Sequence, residues 1–260
     1  MDISTYIDSL AAKGRHNFAT AEAVAALSAS PIAVRAAIRR LRERGRVAMP
    51  FRGFHLIVPP EYRTLGCLPA EQFVPQLMEQ LGHAYYAGLL SAASLHGAAH
   101  QAPMVFQTIV ADNRPEIRCG RVRVEFVARR NVAEIPTVER NTLRGVLRVS
   151  TPEATAFDLA GYPGHAGGLS NVATVLSELA ENLDAGKLLA ETERSPLPWA
   201  QRLGYLLERA EAAHLAAPLA EHVAAHAKEY VPLRPKKSIA HATRDRRWRL
   251  LVNEDVEADL

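Results

Sequence analysis

Cysteine is nearly missing: Cys67 and Cys119 are the only two in 260 residues. Two isolated cysteines without metal-site spacing build neither a disulfide framework nor a zinc site, and they point to a reducing, cytoplasmic setting. Long hydrophobic runs are missing as well. The longest stretch free of Asp, Glu, Lys and Arg runs from Gln80 to Ala111, and His83, His96, Gly97, His100, Gln101 and Pro103 interrupt it. It reads as a buried helix followed by a buried strand, not as a membrane span. The start, Met1 to Tyr6, has no basic segment and no apolar segment, which predicts no secretory leader. Acid is scarce in one place: Glu43 is the only acidic residue between positions 31 and 58.

That local scarcity matters because the overall charge is unremarkable in size. The net charge is +3, from 31 basic and 28 acidic side chains. Residues 1–60 carry +5 and the remaining 200 carry −2. A small basic module on a near-neutral body suggests a polyanionic partner for the module alone. Hydrophobic residues at 48% and charged residues at 23% exclude a wholly disordered chain.

The first ~58 residues predict three helices and a hairpin. Ile3, Tyr6, Ile7 and Leu10 have helical spacing over 2–13. Thr20 is placed to cap a short helix through Leu27, and Ser30 with Pro31 starts a third that Gly45 ends. Strands are expected at 46–49 and 54–58 around Pro50–Gly53. This is the order of a winged helix-turn-helix. Pro59 to Gly66 breaks the periodicity, so a boundary is expected there, giving domains 1–65 and 66–260. Beyond it, helices are predicted at 70–81 and 84–96, strands at about 104–111, 121–128, 135–140 and 145–150, then helices at 153–160, 169–183, 186–192, 198–208 and 214–228. Ser150-Thr-Pro-Glu153 allows either a capping box from Ser150 or a Thr151 cap with Pro152 at the first helical position. The fold class is α+β: the N-terminal module, then a larger mixed α/β domain with a small sheet and several helices.

In the third helix Val34, Ile38 and Leu41 form an apolar stripe, and Arg35, Arg39 and Arg42 form another about 100° away. Such a helix docks by one face and offers guanidinium groups with the other, where arginine pairs with guanine or holds phosphate. Ser28 and Ser30 stand at its N-terminal end, where free N–H groups favour phosphate. Arg46 and Arg52 flank the hairpin, and Arg52 at its tip suits a backbone or minor-groove contact. The DNA-contact set is therefore Ser28, Ser30, Arg35, Arg39, Arg42, Arg46 and Arg52. A second candidate surface, for nucleic acid or a partner, is Arg121, Arg123, Arg129, Arg130 and Arg148, diluted by four nearby glutamates. The tail arginines Arg244, Arg246, Arg247 and Arg249 surround Trp248, which serves either stacking or anchoring of the tail.

Catalytic patterns fail one by one. His96/His100 and His222/His226 have the i,i+4 spacing of zinc pairs, but no third ligand accompanies them and Val223 breaks HExxH. Asp112 and Glu125 lack the lysine that a metal-dependent nuclease places two residues on, because Val127 stands there. Gly164–Gly168 is no phosphate loop, and no GxSxG or kinase motif is present. No catalytic residue, metal or cofactor is expected.

Longer motifs carry more. They are Tyr85-Tyr-Ala-Gly-Leu-Leu-Ser-Ala-Ala-Ser-Leu-His-Gly-Ala-Ala-His100, Val105-Phe-Gln107, Val149-Ser-Thr-Pro-Glu-Ala-Thr-Ala-Phe-Asp-Leu159, Gly167-Gly-Leu-Ser-Asn-Val-Ala-Thr-Val-Leu176 and Arg202-Leu-Gly-Tyr-Leu-Leu-Glu208. With these the chain resembles the AbiEi-type antitoxins of type IV, abortive-infection toxin–antitoxin systems, over nearly its whole length. The resemblance implies an N-terminal winged helix that binds inverted repeats in its own promoter and represses the operon. It also implies a C-terminal domain that counters a nucleotidyltransferase-like toxin encoded beside it, without a stable toxin complex. Two other functions are weighed against this one. A plain regulator that senses a small molecule would have no toxin gene as neighbour. An enzyme acting on the toxin would change the toxin's intact mass.

Overall fold

The computed structural model describes residues 1–98 and 103–258. His100, the second member of one histidine pair, and Gln101 lie outside those residues. Two compact units form. One comprises Met1–Tyr86, Met104–Val132 and Glu139–Arg148, and the other Ala87–Pro103, Ala133–Val138 and Val149–Leu260.

The first unit opens with α1 (Ile3–Ala12), capped by Asp2, whose carboxylate accepts from the Thr5 amide at 2.8 Å. A short strand, β1 (Asn17–Ala19), precedes α2 (Thr20–Leu27). Three residues are too few to show a period of two, so the sequence pattern misses β1. Thr20 is not the cap expected. It is the first helical residue, Ala19 holds the cap position, and the Thr20 hydroxyl bonds His55 Nε2 at 2.8 Å. Helix α3 (Pro31–Glu43) starts as expected, with the Ser30 hydroxyl accepting from the Ala33 amide at 3.2 Å and Pro31 in the first turn. The break between α2 and α3 turns the chain by 113°. Strands β2 (Val47–Phe51) and β3 (Phe54–Ile57) follow, and the antiparallel sheet has the order β1-β3-β2.

Every residue of β3 is buried because both of its faces are covered. Ile57 packs with Tyr6, Ile7, Phe18, Val34, Ile38 and Leu41. Phe54 and Leu56 belong instead to a second core with Leu68, Phe73, Leu77, Val122 and Val124. A strand covered on both sides reads as a continuous apolar run, and the single polar member, His55, has to find its partner inside. This second core crosses the boundary expected at 65/66, so compactness divides the chain elsewhere. Pro59–Gly66 is a turn inside one unit.

The unit continues through α4 (Val74–Leu81) and β4 (Tyr85–Ala87). The predicted helix over 84–96 is thus corrected at its start: Tyr85 and Tyr86 are extended. Strand β5 (Phe106–Val110) runs parallel to β7 (Val122–Ala128), with Gln107 opposite Glu125. Strand β6 (Ile117–Cys119) pairs antiparallel with β7, which puts Arg118 opposite Arg123. Strands β8 (Thr137–Thr142) and β9 (Gly145–Ser150) are neighbours.

The second unit is mainly helical: α5 (Leu89–Leu95), α6 (Pro152–Gly161), α7 (Leu169–Leu179), α8 (Ala185–Glu191), α9 (Leu197–Arg209) and α10 (Ala213–His226). Thr151 caps α6 by accepting from the Ala154 amide at 3.3 Å, the second of the two readings of that segment. The tail holds a small sheet of β10 (Val231–Pro232), β11 (Thr243–Asp245) and β12 (Leu250–Val252), in the order β10-β12-β11. Among the described residues no single helix is long and apolar enough to cross a membrane.

Candidate nucleic-acid interface

Helix α3 divides its residues as the stripes predict. Val34, Ile38 and Leu41 are buried, and Arg35, Arg39 and Arg42 are exposed. Gly45, at φ +66°, ends the helix, and Gly53, at φ +82°, makes the tight turn between β2 and β3 that carries Arg52. These two elements frame a cleft of about 710 Å³ lined by Arg35, Arg39, Arg42 and Arg52 with Thr20, Ile38, Met49, Gly53 and His55. Among the described residues no carboxylate lines it. Arg39 approaches Glu43 at 3.8 Å on the open surface, a pairing too exposed to hold the guanidinium firmly. A second cleft, of about 480 Å³, shares Arg39, Arg42 and Met49 and adds Glu43, Gly66, Arg118, Cys119 and Gly120. Arg118 comes from far along the chain, and no local pattern connects it to α3.

His55 lies against this cleft and is 4% exposed. Its ring stacks on Phe18 with centroids 5.0 Å apart, and its Nε2 meets the Thr20 hydroxyl. Burial, with a smaller contribution from the Arg42 charge, pushes its pKa down to about 4. The folded protein therefore holds His55 neutral, while the unfolded chain protonates near 6.5. Because the unfolded state binds the extra proton, this histidine's contribution to stability is complete above pH 6.5 and is lost as pH falls toward 4. The difference amounts to about 3 kcal/mol across that window. His55→Gln should flatten urea midpoints between pH 6.5 and 4 relative to the parent. Parallel pH profiles for the two proteins would contradict that.

The other expected contact residues are less available. Arg46 donates to the Asp8 carboxylate at 2.6 Å and does not line either cleft described above. The Ser30 hydroxyl is engaged in capping. Ser28 is exposed in a left-handed conformation at φ +47°.

The second arginine set is not one surface. Arg121 and Arg123 are exposed, but Arg123 donates to Glu116 at 2.6 Å, as Arg118 does at 2.8 Å. The hydrogen bonds from Arg123 and Arg118 hold the Glu116 carboxyl below the usual carboxylate range. Arg129 must be removed from the set: it is 4% exposed, and its Nε donates to Asn131 at 3.1 Å. It follows the end of β7, and its amide continues the pairing to Val110 at 2.8 Å, so the side chain is drawn inward. Arg130 is exposed, and Arg148 lines a cleft beside Glu79 and Glu139.

In the tail, Trp248 is fully buried, and its indole N–H donates to Glu208 at 2.8 Å. It anchors the tail sheet to α9, so it offers no stacking face. Among the described residues no group of three His, Cys, Asp or Glu could hold a metal ion. His222 and His226 stack on each other with centroids 4.3 Å apart.

The backbone is similar to the crystal structure of the RV2827C protein from Mycobacterium tuberculosis, with a TM-score of 0.68 at 20% identity, covering 95% of this chain and 89% of that one. At that identity the likeness concerns the fold. No curated protein matches the chain. Residues 86–209 match the family model of the AbiEi antitoxin C-terminal domain. They include α5 through α9 and, apart from Tyr85, all five of the motifs quoted above. The similarity over residues 86–209 supports an AbiEi-type antitoxin assignment and, with it, a role as the antitoxin of a toxin–antitoxin system.

Proposed function

We propose that this protein is an antitoxin that represses its own operon by binding promoter DNA and counteracts a nucleotidyltransferase-like toxin. In this reading α2 and α3 are the helix-turn-helix, α3 is the recognition helix and the β2–β3 turn is the wing. The 113° change of direction between the two helices lies in the range of that motif. One observation carries the DNA part: four arginines converge on a cleft that no carboxylate among the described residues lines. Guanidinium groups gathered on a protein surface with little compensating acid repel one another, and a polyphosphate relieves that repulsion while releasing its counterions.

Fluorescence anisotropy on the protein's own upstream DNA, against a scrambled duplex, tests this. Preferential binding that weakens steeply with salt is expected, and equal, weak binding to both duplexes would sink the reading. The antitoxin part is separable by point substitution. Full-length protein with Arg35, Arg39 and Arg42 changed to Ala should still rescue growth against the neighbouring toxin while losing repression. Loss of rescue as well would mean that the division of labour is wrong.

A further inference from the structure

Cys119 and Cys67 are separated by 52 positions in sequence, yet the fold brings their segments into backbone contact. A Cβ at Gly66 would stand 3.1 Å from Gly120 Cα, and one at Gly120 would stand 2.2 Å from the Leu65 carbonyl oxygen. The Arg121 amide donates to that same carbonyl at 2.8 Å. Glycine at both 66 and 120, each at positive φ, permits this crossing. Cys67 and Cys119 are the next residues on either side of this crossing. Both thiols are free, and each acts on the ionisation of the other, Cys67 favouring the Cys119 thiolate.

The two thiols differ in reach. Cys67 is fully buried in the core with Phe54, Leu56 and Leu68. Cys119 is half-buried and lines the second cleft with Arg39, Arg42 and Arg118. The Cys67 thiol, with the Met49 amide and the Arg42 charge, outweighs burial and lowers the Cys119 pKa, whereas the Cys67 thiol is pushed up. A half-buried thiol in an arginine-lined cleft, with a second thiol on the segment that crosses beside it, is the arrangement that redox-active cysteine pairs require.

We propose that Cys119 and Cys67 are a peroxide-oxidisable dithiol, a modification site at the edge of the arginine cleft. The Cys119 thiolate attacks one oxygen of hydrogen peroxide. The O–O bond breaks, the hydroxide leaves and takes a proton as water, and Cys119 becomes a sulfenic acid. The Cys67 sulfur then attacks the Cys119 sulfur, the S–O bond breaks, and the departing hydroxide leaves as a second water with the Cys67 proton. The dithiol gives up two electrons, and one peroxide becomes two waters. The inference does not depend on DNA binding, since it concerns the sulfur atoms alone.

The test uses the reduced full-length protein and its Cys67→Ser and Cys119→Ser variants, treated with peroxide and then with dimedone and iodoacetamide. The parent should lose about 2 Da, take up no alkylating agent, yield a Cys67–Cys119 cross-linked peptide and recover both thiols with reductant. Cys67→Ser should accumulate one dimedone adduct, on Cys119. Cys119→Ser should remain unmodified, because its one thiol is buried. The proposal is overturned if the parent keeps two alkylatable thiols under conditions that give the adduct in Cys67→Ser. A disulfide between two chains, or an adduct-free Cys67→Ser protein, would overturn it equally.

Discussion

Changing Arg35, Arg39 and Arg42 together to Ala should weaken binding to the upstream duplex by about a hundredfold or more at ~0.1 M salt. Each guanidinium that pairs with a guanine edge contributes ~1–3 kcal/mol of discrimination, and each that holds a phosphate contributes about 0.9 to the slope of log affinity against log salt. If all three hold phosphate, the slope should fall by about 3. The three side chains are exposed, and none holds a buried partner. The melting temperature should therefore stay nearly unchanged, which separates lost contact from lost fold. The matching lysine triple distinguishes the two kinds of contact. Lysine keeps the charge but not the planar fork, so phosphate holding survives it and guanine reading does not. Unchanged affinity and slope in the alanine triple would remove the recognition-helix assignment.

The second large effect concerns stability in the other unit. Gly204 lies inside α9, and a Cβ there would stand 2.0 Å from the ring of Trp248. Trp248→Ala empties a fully buried site and should cost about 3–5 kcal/mol. Gly204→Ala alone should also destabilise, because the methyl group and the indole cannot share the space. In the Trp248→Ala background the sign should reverse. The space is then open, and alanine gains ~1 kcal/mol over glycine within a helix. A double-mutant cycle followed by urea denaturation measures this. If Gly204→Ala destabilises both backgrounds equally, the glycine is needed for backbone reasons and not for the tryptophan.

Local periodicity made most of this fold legible. The stripes of α3, the Ser30 cap and the Gly45 stop are decided by residues within a turn or two, so they read directly from the chain. The strands β1, β4 and β6 did not, because three residues cannot display alternation and their pairing partners are distant. Thr20 looked like a cap because its side chain suits that role, but His55 needed its hydroxyl, and a demand from 35 residues away leaves no local trace. The arginines of the cleft were readable as a face. The arrival of Arg118 and Cys119 beside them was not, since it depends on the β6–β7 pairing and on two glycines meeting. Arg129 shows the opposite failure: charge alone suggested the surface, and the continuation of the strand pairing drew the side chain inside.

The interleaved path of the chain has a consequence for synthesis. The first unit takes its last segment from Glu139–Arg148, 62 positions beyond Tyr86. A ribosome adding about 5–20 residues per second needs about 3–12 s to cover that interval. For the first part of that interval, up to Ala128, Phe54 and Leu56 lack β7 on the face they present to it, even though α1 to α3 have long since emerged. The nascent N-terminal segment therefore leaves apolar surface open to chaperones and proteases before its fold is complete. Abundance should respond to translation speed between codons 87 and 148 more than to the same change placed after them.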